Sequence, residues 1–170
     1  MKAVSLFSLL AAGLLTASCG YHLDGALNPK MAGVKTFAVS MFENQSLYPE
    51  VSMMVTTALT DRLEQSGTMR LVPHSAADCT ITGKVAGVER SSLRANPQDS
   101  AYSSEIGLTV RVEYTVTDNR TGKVLVGGRT SGIGSLFNNE LSSIRTAEQN
   151  AVSYAARQAA DDIVTDLTLP

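Results

Sequence analysis

The sequence predicts an α+β domain, a two-layer sandwich with two helices packed on one face of a mainly antiparallel, four-stranded mixed sheet in the order β-α-β-β-β-α. Three observations carry this. From Ile106 to Thr117 apolar and polar residues alternate, with Ile106, Leu108, Val110, Val112, Tyr114 and Val116 opposed to Thr109, Arg111, Glu113, Thr115 and Thr117. A strand with one dry and one wet face belongs in an antiparallel sheet. Val51, Met54, Val55, Ala58, Leu59, Arg62 and Leu63 recur at helical spacing, and so does a second stripe near the end of the chain. Both stripes must be buried and the sheet offers one apolar face, so both helices are expected on it.

Taken in order, Val34 to Phe42 reads as the first strand, with Phe37, Val39 and Met41 on one face. Glu43-Asn44-Gln45-Ser46 breaks it. Pro49 suits a first helical turn, where its missing N–H costs nothing, and Gly67 stands just past the helix as a stop signal. The short run Met69 to Val72, ended by Pro73, reads as a brief strand or extended link. Strand one and the strand after the first helix are expected to run parallel through a right-handed crossover. Cys79 to Arg90 alternates through Ile81, Gly83 and Val85, then slips near Gly87-Val88, where a bulge fits. Ser91 to Ser104 reads as a polar, mobile loop. Asp118 to Gly122 is a hairpin turn, and Lys123 to Leu136 returns beside the preceding strand. The last helix spans roughly Ser142 to Leu167. Its stripe of Ile144, Ala147, Ala151, Val152, Ala155, Ala159 and Ile163 is largely alanine, small enough for a close approach to the sheet.

The chain has 170 residues, 44% of them hydrophobic, which fits one domain with a buried core. Its formal charge is −2. Removing residues 1–18, whose charged side chain is Lys2, takes this to −3 (−2 − 1). Nucleic acid is thereby excluded as the main partner, since neutralising phosphates needs an excess of Lys and Arg.

Residues 1–18 read as a lipoprotein signal peptide. Lys2 supplies the positive start, and Ala3 to Leu15 is an uncharged run too short to span a bilayer but long enough for a signal core. Ala17 and Ser18 are the small residues expected before a cut at Cys19. That cysteine would then carry several acyl chains, palmitate among them, and hold the protein on a membrane. One departure is Thr16 three places before the cysteine, where Leu is usual; Leu15 stands one place earlier. The alternative is an ordinary secretory signal with a Cys19–Cys79 disulfide, since these are the two cysteines of the chain. Residues 19–33 form a Gly-, Asn- and Pro-rich tether, and 34–170 the single domain. Gly20, where a retention aspartate would otherwise stand, permits sorting to the outer membrane.

No catalytic constellation is expected, nor any metal or cofactor. His22 and His74 lack a flanking nucleophile or a carboxylate at metal spacing. Asp78-Cys79 opens a strand, and the thiol reads as buried and structural. Gly132-Ile133-Gly134 lacks the third glycine and following helix of a dinucleotide site, so it reads as a flexible strand end. Asp161, Asp162 and Asp166 read as solvated carboxylates on a fraying helix end. The wet face of the sheet is more informative. Lys84, Arg90, Arg111 and Arg129 are expected to project from its uncovered side with Arg94 in the adjoining loop, a cluster able to hold phosphate or a lipid headgroup. The residues alone favour the plainer reading, a solvated face on which Glu89, Glu105 and Glu113 pair with these cations.

The stretches CGYHL (19–23), MAGVKTFAVSMFENQSLYPEV (31–51), VTTALTDRLEQSGTMRLV (55–72), ADCTITGKVAGVER (77–90) and VRVEYTVTDNRTGKVL (110–125) resemble, in this order, the LptE lipoproteins of lipopolysaccharide assembly. The resemblance covers nearly the whole mature chain. It implies an outer-membrane lipoprotein that sits as a plug in the LptD β-barrel, supports its assembly, and assists insertion of lipopolysaccharide into the outer leaflet. It also implies contact with lipopolysaccharide through basic residues; Lys84, Arg90 and Arg111 are chosen here from face and charge. Two other classes stay open: the oligomeric lipoproteins related to CsgG, which the FENQSLYPEV segment also resembles, and tethered regulators of peptidoglycan synthesis. The tether of about a dozen residues favours work close to the membrane.

Overall fold

A computed structural model of the chain describes residues 27–95, 103–137 and 144–168. The signal peptide, Cys19, Gly20, His22 and most of the tether lie outside the described residues. The elements are β1 (Thr36–Val39), β2 (Glu43–Asn44), α1 (Val51–Ser66), β3 (Arg70–Leu71), β4 (Cys79–Ala95), β5 (Ser103–Asp118), β6 (Val124–Phe137) and α2 (Ile144–Thr168). They form the expected two layers, but the sheet has six strands rather than four. Its order is β3-β1-β4-β5-β6, with β2 paired to β4 beyond the end of β1. The β1–β3, β1–β4 and β2–β4 pairings are short and parallel. The long pairings β4–β5 and β5–β6 are antiparallel.

The strand β1 is shorter than its alternation suggested. Phe37 and Ala38 are both buried, Met41 points to solvent, and Phe42 is buried instead. The cause is a step in pairing. After Val39 meets Ile81, the chain swings out and rejoins β4 at Lys84 and Val85. Glu43 and Asn44 therefore form β2 rather than a break, and Phe42 turns inward over Gly83, where a Cβ would lie 2.6 Å from the Glu113 carbonyl oxygen.

The helix α1 follows its sequence pattern. Val51, Val55, Ala58, Leu59 and Leu63 are buried, and Gly67 caps the end in the left-handed conformation (φ 64°). Each large apolar side chain taken out of water there contributes roughly 1.5–3 kcal/mol. In β5, Ile106, Leu108, Val110, Val112, Tyr114 and Val116 are all buried, as the alternation predicts. Asp118 Oδ1 accepts the N–H groups of Arg120 and Thr121, both at 2.8 Å, and Gly122 (φ 70°) closes the hairpin.

Two expectations change at the far end of the sheet. The strand β4 continues to Ala95 and β5 begins at Ser103, so half of the expected loop, seven of its 14 residues, is strand. Residues 96–102 lie outside the described residues. Gly132-Ile133-Gly134 is no flexible end. A Cβ on Gly132 would run into the Ala155 carbonyl, and one on Gly134 into that of Ala151. The α2 backbone thus lies directly on β6, with Ala151, Ala155 and Ala159 fully or almost fully buried between them. Ile144, expected on this stripe, is exposed.

The last turns of α2 are bonded rather than fraying. Arg62 of α1 pairs with Asp161. Thr130 donates to Asp162 (3.0 Å) and the Tyr114 hydroxyl to Asp166 (2.9 Å). Burial, and then this bond to Asp166, push the Tyr114 hydroxyl pKa upward. Asn28 completes that pole: its N–H donates to the Leu167 carbonyl (2.9 Å) and its side-chain amide to that of Asp166 (3.2 Å). These are helix-end carbonyls that otherwise lack a partner.

Candidate functional site

Among the described residues nothing covers the sheet face opposite the helices, and the residues of that face follow from strand register. One row holds Lys84, Glu113 and Arg129, which are directly paired across β4, β5 and β6. The next holds Arg111 opposite Ser131, and the one after it Glu89, Thr109 and Ile133. Ion pairs knit these rows together. Glu113 is shared between Lys84 (3.2 Å) and Arg129 (3.0 Å), and Arg111 meets Glu89 at 2.7 Å. The hydrogen bond from Lys84 and the nearby Arg129 charge hold the Glu113 carboxyl below its usual pKa. Around Arg111, Arg129 and Ser131 the surface dips into a shallow depression of about 450 Å³.

Of the expected cation set, Lys84, Arg111 and Arg129 do share this face. Arg90 does not. The register shifts between Val85 and Gly87, so a bulge at Ala86 reverses the side-chain parity of the strand. Arg90 consequently lies opposite buried Leu108, on the helix side, and pairs with Glu148 of α2 at 2.7 Å. Arg94 belongs to β4 rather than a loop and meets Glu105 at 3.8 Å. The glutamates Glu89, Glu105 and Glu113 pair locally, as the plainer reading has it. Glu43 of β2, the partner of Lys84 in the same row, brings the charged rows to three cations and three carboxylates, so together they carry no net charge.

Sequence reasoning overlooked three neighbours on this face. Leu93, Ile133 and Phe137 are 50%, 49% and 57% exposed and lie beyond the charged rows. The signal was present in part, since Ile133 and Phe137 keep the parity of Arg129 along β6.

Among the described residues nothing resembles a reactive centre. Cys79 is fully buried, and burial with the Asp78 and Asp118 charges pushes its thiol up to about 11, far from a thiolate. Its sulfur is sealed from a tether cysteine unless the domain opens. The Asp78 carboxyl accepts the Lys35 N–H (3.0 Å), the Thr36 N–H (2.9 Å) and the Thr36 hydroxyl (2.9 Å), which hold its pKa below the ordinary value. It fastens β1 to β4. Among the described residues no group of three His, Cys, Asp or Glu side chains stands close enough to hold a metal, and no helix is long and apolar enough to cross a membrane.

Fold and surface together define a class: a two-layer α+β domain with one sheet face left open. Comparison with known proteins makes this specific. A family model described as LptE, lipopolysaccharide-assembly, matches residues 34–167, and the chain belongs to that family. No curated protein sequence matches it. A hypothetical protein of Chlamydia trachomatis, CT253, has a similar structure at 10% identity, with a TM-score of 0.58 over 78% of this chain and 94% of that one. A lipoprotein of Caulobacter crescentus is 20% identical, with a TM-score of 0.51 over 75% and 88%. The PelC dodecamer of Paraburkholderia phytofirmans is 14% identical, with a TM-score of 0.50 over 85% and 95%. At these identities the likeness is one of fold.

Proposed function

We propose that this chain is anchored in the outer membrane through lipid on Cys19 and works by binding, as the partner of an LptD-like β-barrel. In this reading the domain sits within the barrel lumen, supports barrel assembly and assists insertion of lipopolysaccharide into the outer leaflet. The observation that carries it is the family match across residues 34–167. The three cations on the bare sheet face add support, because phosphates on the lipopolysaccharide core can exchange with Glu113 or Glu89 for Lys84, Arg129 and Arg111. Arg129 takes the place first given to Arg90, whose partner lies on α2. Exposed contacts of this kind are individually modest and weaken with salt.

The test is recovery of the tagged full chain from gently solubilised membranes. A large β-barrel should come with it. The triple change Lys84→Ser, Arg111→Ser, Arg129→Ser should keep that barrel while lowering lipopolysaccharide affinity several-fold, more at low salt than at high. Closed rings of the chain without a barrel would instead favour the reading related to CsgG.

A further inference from the structure

The bare face has two zones, and the second has no place in the charge argument. Beyond the row of Glu89, Thr109 and Ile133 come Ser91, Gly107 and Ser135, then Glu105 and Phe137. Leu93 lies across Gly107, where an added Cβ would stand 3.0 Å from the leucine Cγ. Leu93, Ile133 and Phe137 therefore bracket one stretch of β5 as an apolar corner on an otherwise polar sheet. Ser91, Gly107, Thr109 and Ser135 fill the space between them, and the Arg94–Glu105 ion pair stands beside Phe137. The corner adjoins the charged rows directly: Ile133 is two residues from Ser131, the cross-strand partner of Arg111, and four from Arg129. That is about 7 and 14 Å along the strand.

We infer that this corner receives the acyl chains of an anionic amphiphile whose charged head rests on Arg111 and Arg129. The inference rests on the lipopolysaccharide reading above and adds to it a hydrocarbon contact. Charge and size both select the occupant. Arg111 and Arg129 stand at one end of the face and the apolar side chains at the other, the arrangement an anionic head with a hydrocarbon tail would match. Three half-exposed side chains offer far less than the roughly 800 Å² that each partner gives to a stable protein interface. An acyl chain asks for no hydrogen bonds, so a surface of Leu, Ile, Phe and Gly suits it.

Two experiments test this. First, with the full chain held in phosphatidylcholine nanodiscs, binding is measured for lipopolysaccharide and for its fully deacylated form, which keeps the sugar phosphates. Ile133→Ser with Phe137→Ser should weaken binding of the intact molecule about tenfold or more and leave the deacylated form unchanged. Arg111→Ser with Arg129→Ser should weaken both. All four side chains are exposed, so the variants should retain the wild-type circular dichroism. Second, a photoreactive benzoylphenylalanine at Ile133 or Phe137 should cross-link lipid in living cells, whereas the same group at Met53 or Tyr154, exposed on the helix side, should not. If the apolar pair leaves intact binding unchanged while the arginine pair weakens it, the acyl contact is refuted and the lipopolysaccharide reading stands. If neither pair has an effect, both fail. Cross-links to protein alone from the corner would make it a protein-docking site and overturn the inference.

Discussion

The two helices cover the same sheet by opposite means. The helix α1 presents Val51, Val55, Leu59 and Leu63, and the space beneath it is filled by large buried side chains such as Phe37, Phe42 and Ile81. The helix α2 presents mostly alanine and rests on Gly132 and Gly134, backbone against strand. The first contact is built from volume and the second from its absence. A side-chain seam can repack around a lost group, because neighbours shift by fractions of an ångström into the gap. A backbone seam has nothing that can move aside except the whole helix. Tolerance to substitution should therefore run in opposite directions, with α1 sensitive to shrinkage and the α2 seam to growth.

The largest effect is expected from growth in the backbone seam. Gly134→Val places a branched side chain against the Ala151 carbonyl, where no rotamer avoids the helix. It should cost about 4 kcal/mol or more and abolish a cooperative thermal transition near the wild-type temperature. A variant that melts normally would show that α2 can lift freely, and the contrast would collapse. Leu59→Ala, in the side-chain seam, should cost about 3 kcal/mol by denaturant titration while preserving two-state melting.

Acid gives the smallest and most selective effect. Asp78 fastens β1, which lies on the α1 side of the sheet, and its folded pKa lies below the ordinary 3.8. A carboxylate depressed in this way contributes stability that is fully present above the unfolded value and is lost as pH falls through the folded one. The melting-temperature gap between wild type and Asp78→Ala should therefore be constant above about pH 5 and close progressively below 3.8. A gap that persisted unchanged to pH 2 would assign the stabilising role to packing instead of charge.

The same contrast explains what could be read from the chain alone. Strand β5 and helix α1 were legible because each has one face buried by large residues, and that writes a period of two or 3.6 directly into the sequence. The α2 stripe was legible as a helix, yet its glycine counterpart on β6 was not. Gly132 and Gly134 look the same whether they loosen a strand or admit a helix backbone, and only the opposing alanines decide. Strands β2 and β3 have two residues each, too few to show a period. The residues from Ser91 to Ala95 look like loop because polar side chains dominate a strand that extends past the α1 layer. The candidate face was half legible. Lys84, Arg111 and Arg129 came from parity, whereas Arg90 failed because the bulge at Ala86 inserts one residue and exchanges the two sides of β4 as far as Ser92, where the register shifts again. The site of the bulge was anticipated near Gly87; its consequence for Arg90 needed the cross-strand register.

Asn28 has a mechanical consequence. Because its N–H and side-chain amide are bonded to the last carbonyls of α2, tension on the preceding segment does not act on β1 alone. It divides between β1, drawn along its own length beside β4, and the end of α2, which is braced against the sheet through Asp162–Thr130 and Asp166–Tyr114. Both routes load their bonds in shear, so many must yield together, whereas a strand peeled from an edge gives way one bond at a time. A membrane-bound leash joined at this pole would therefore pull on the domain at a point tied to both β1 and α2.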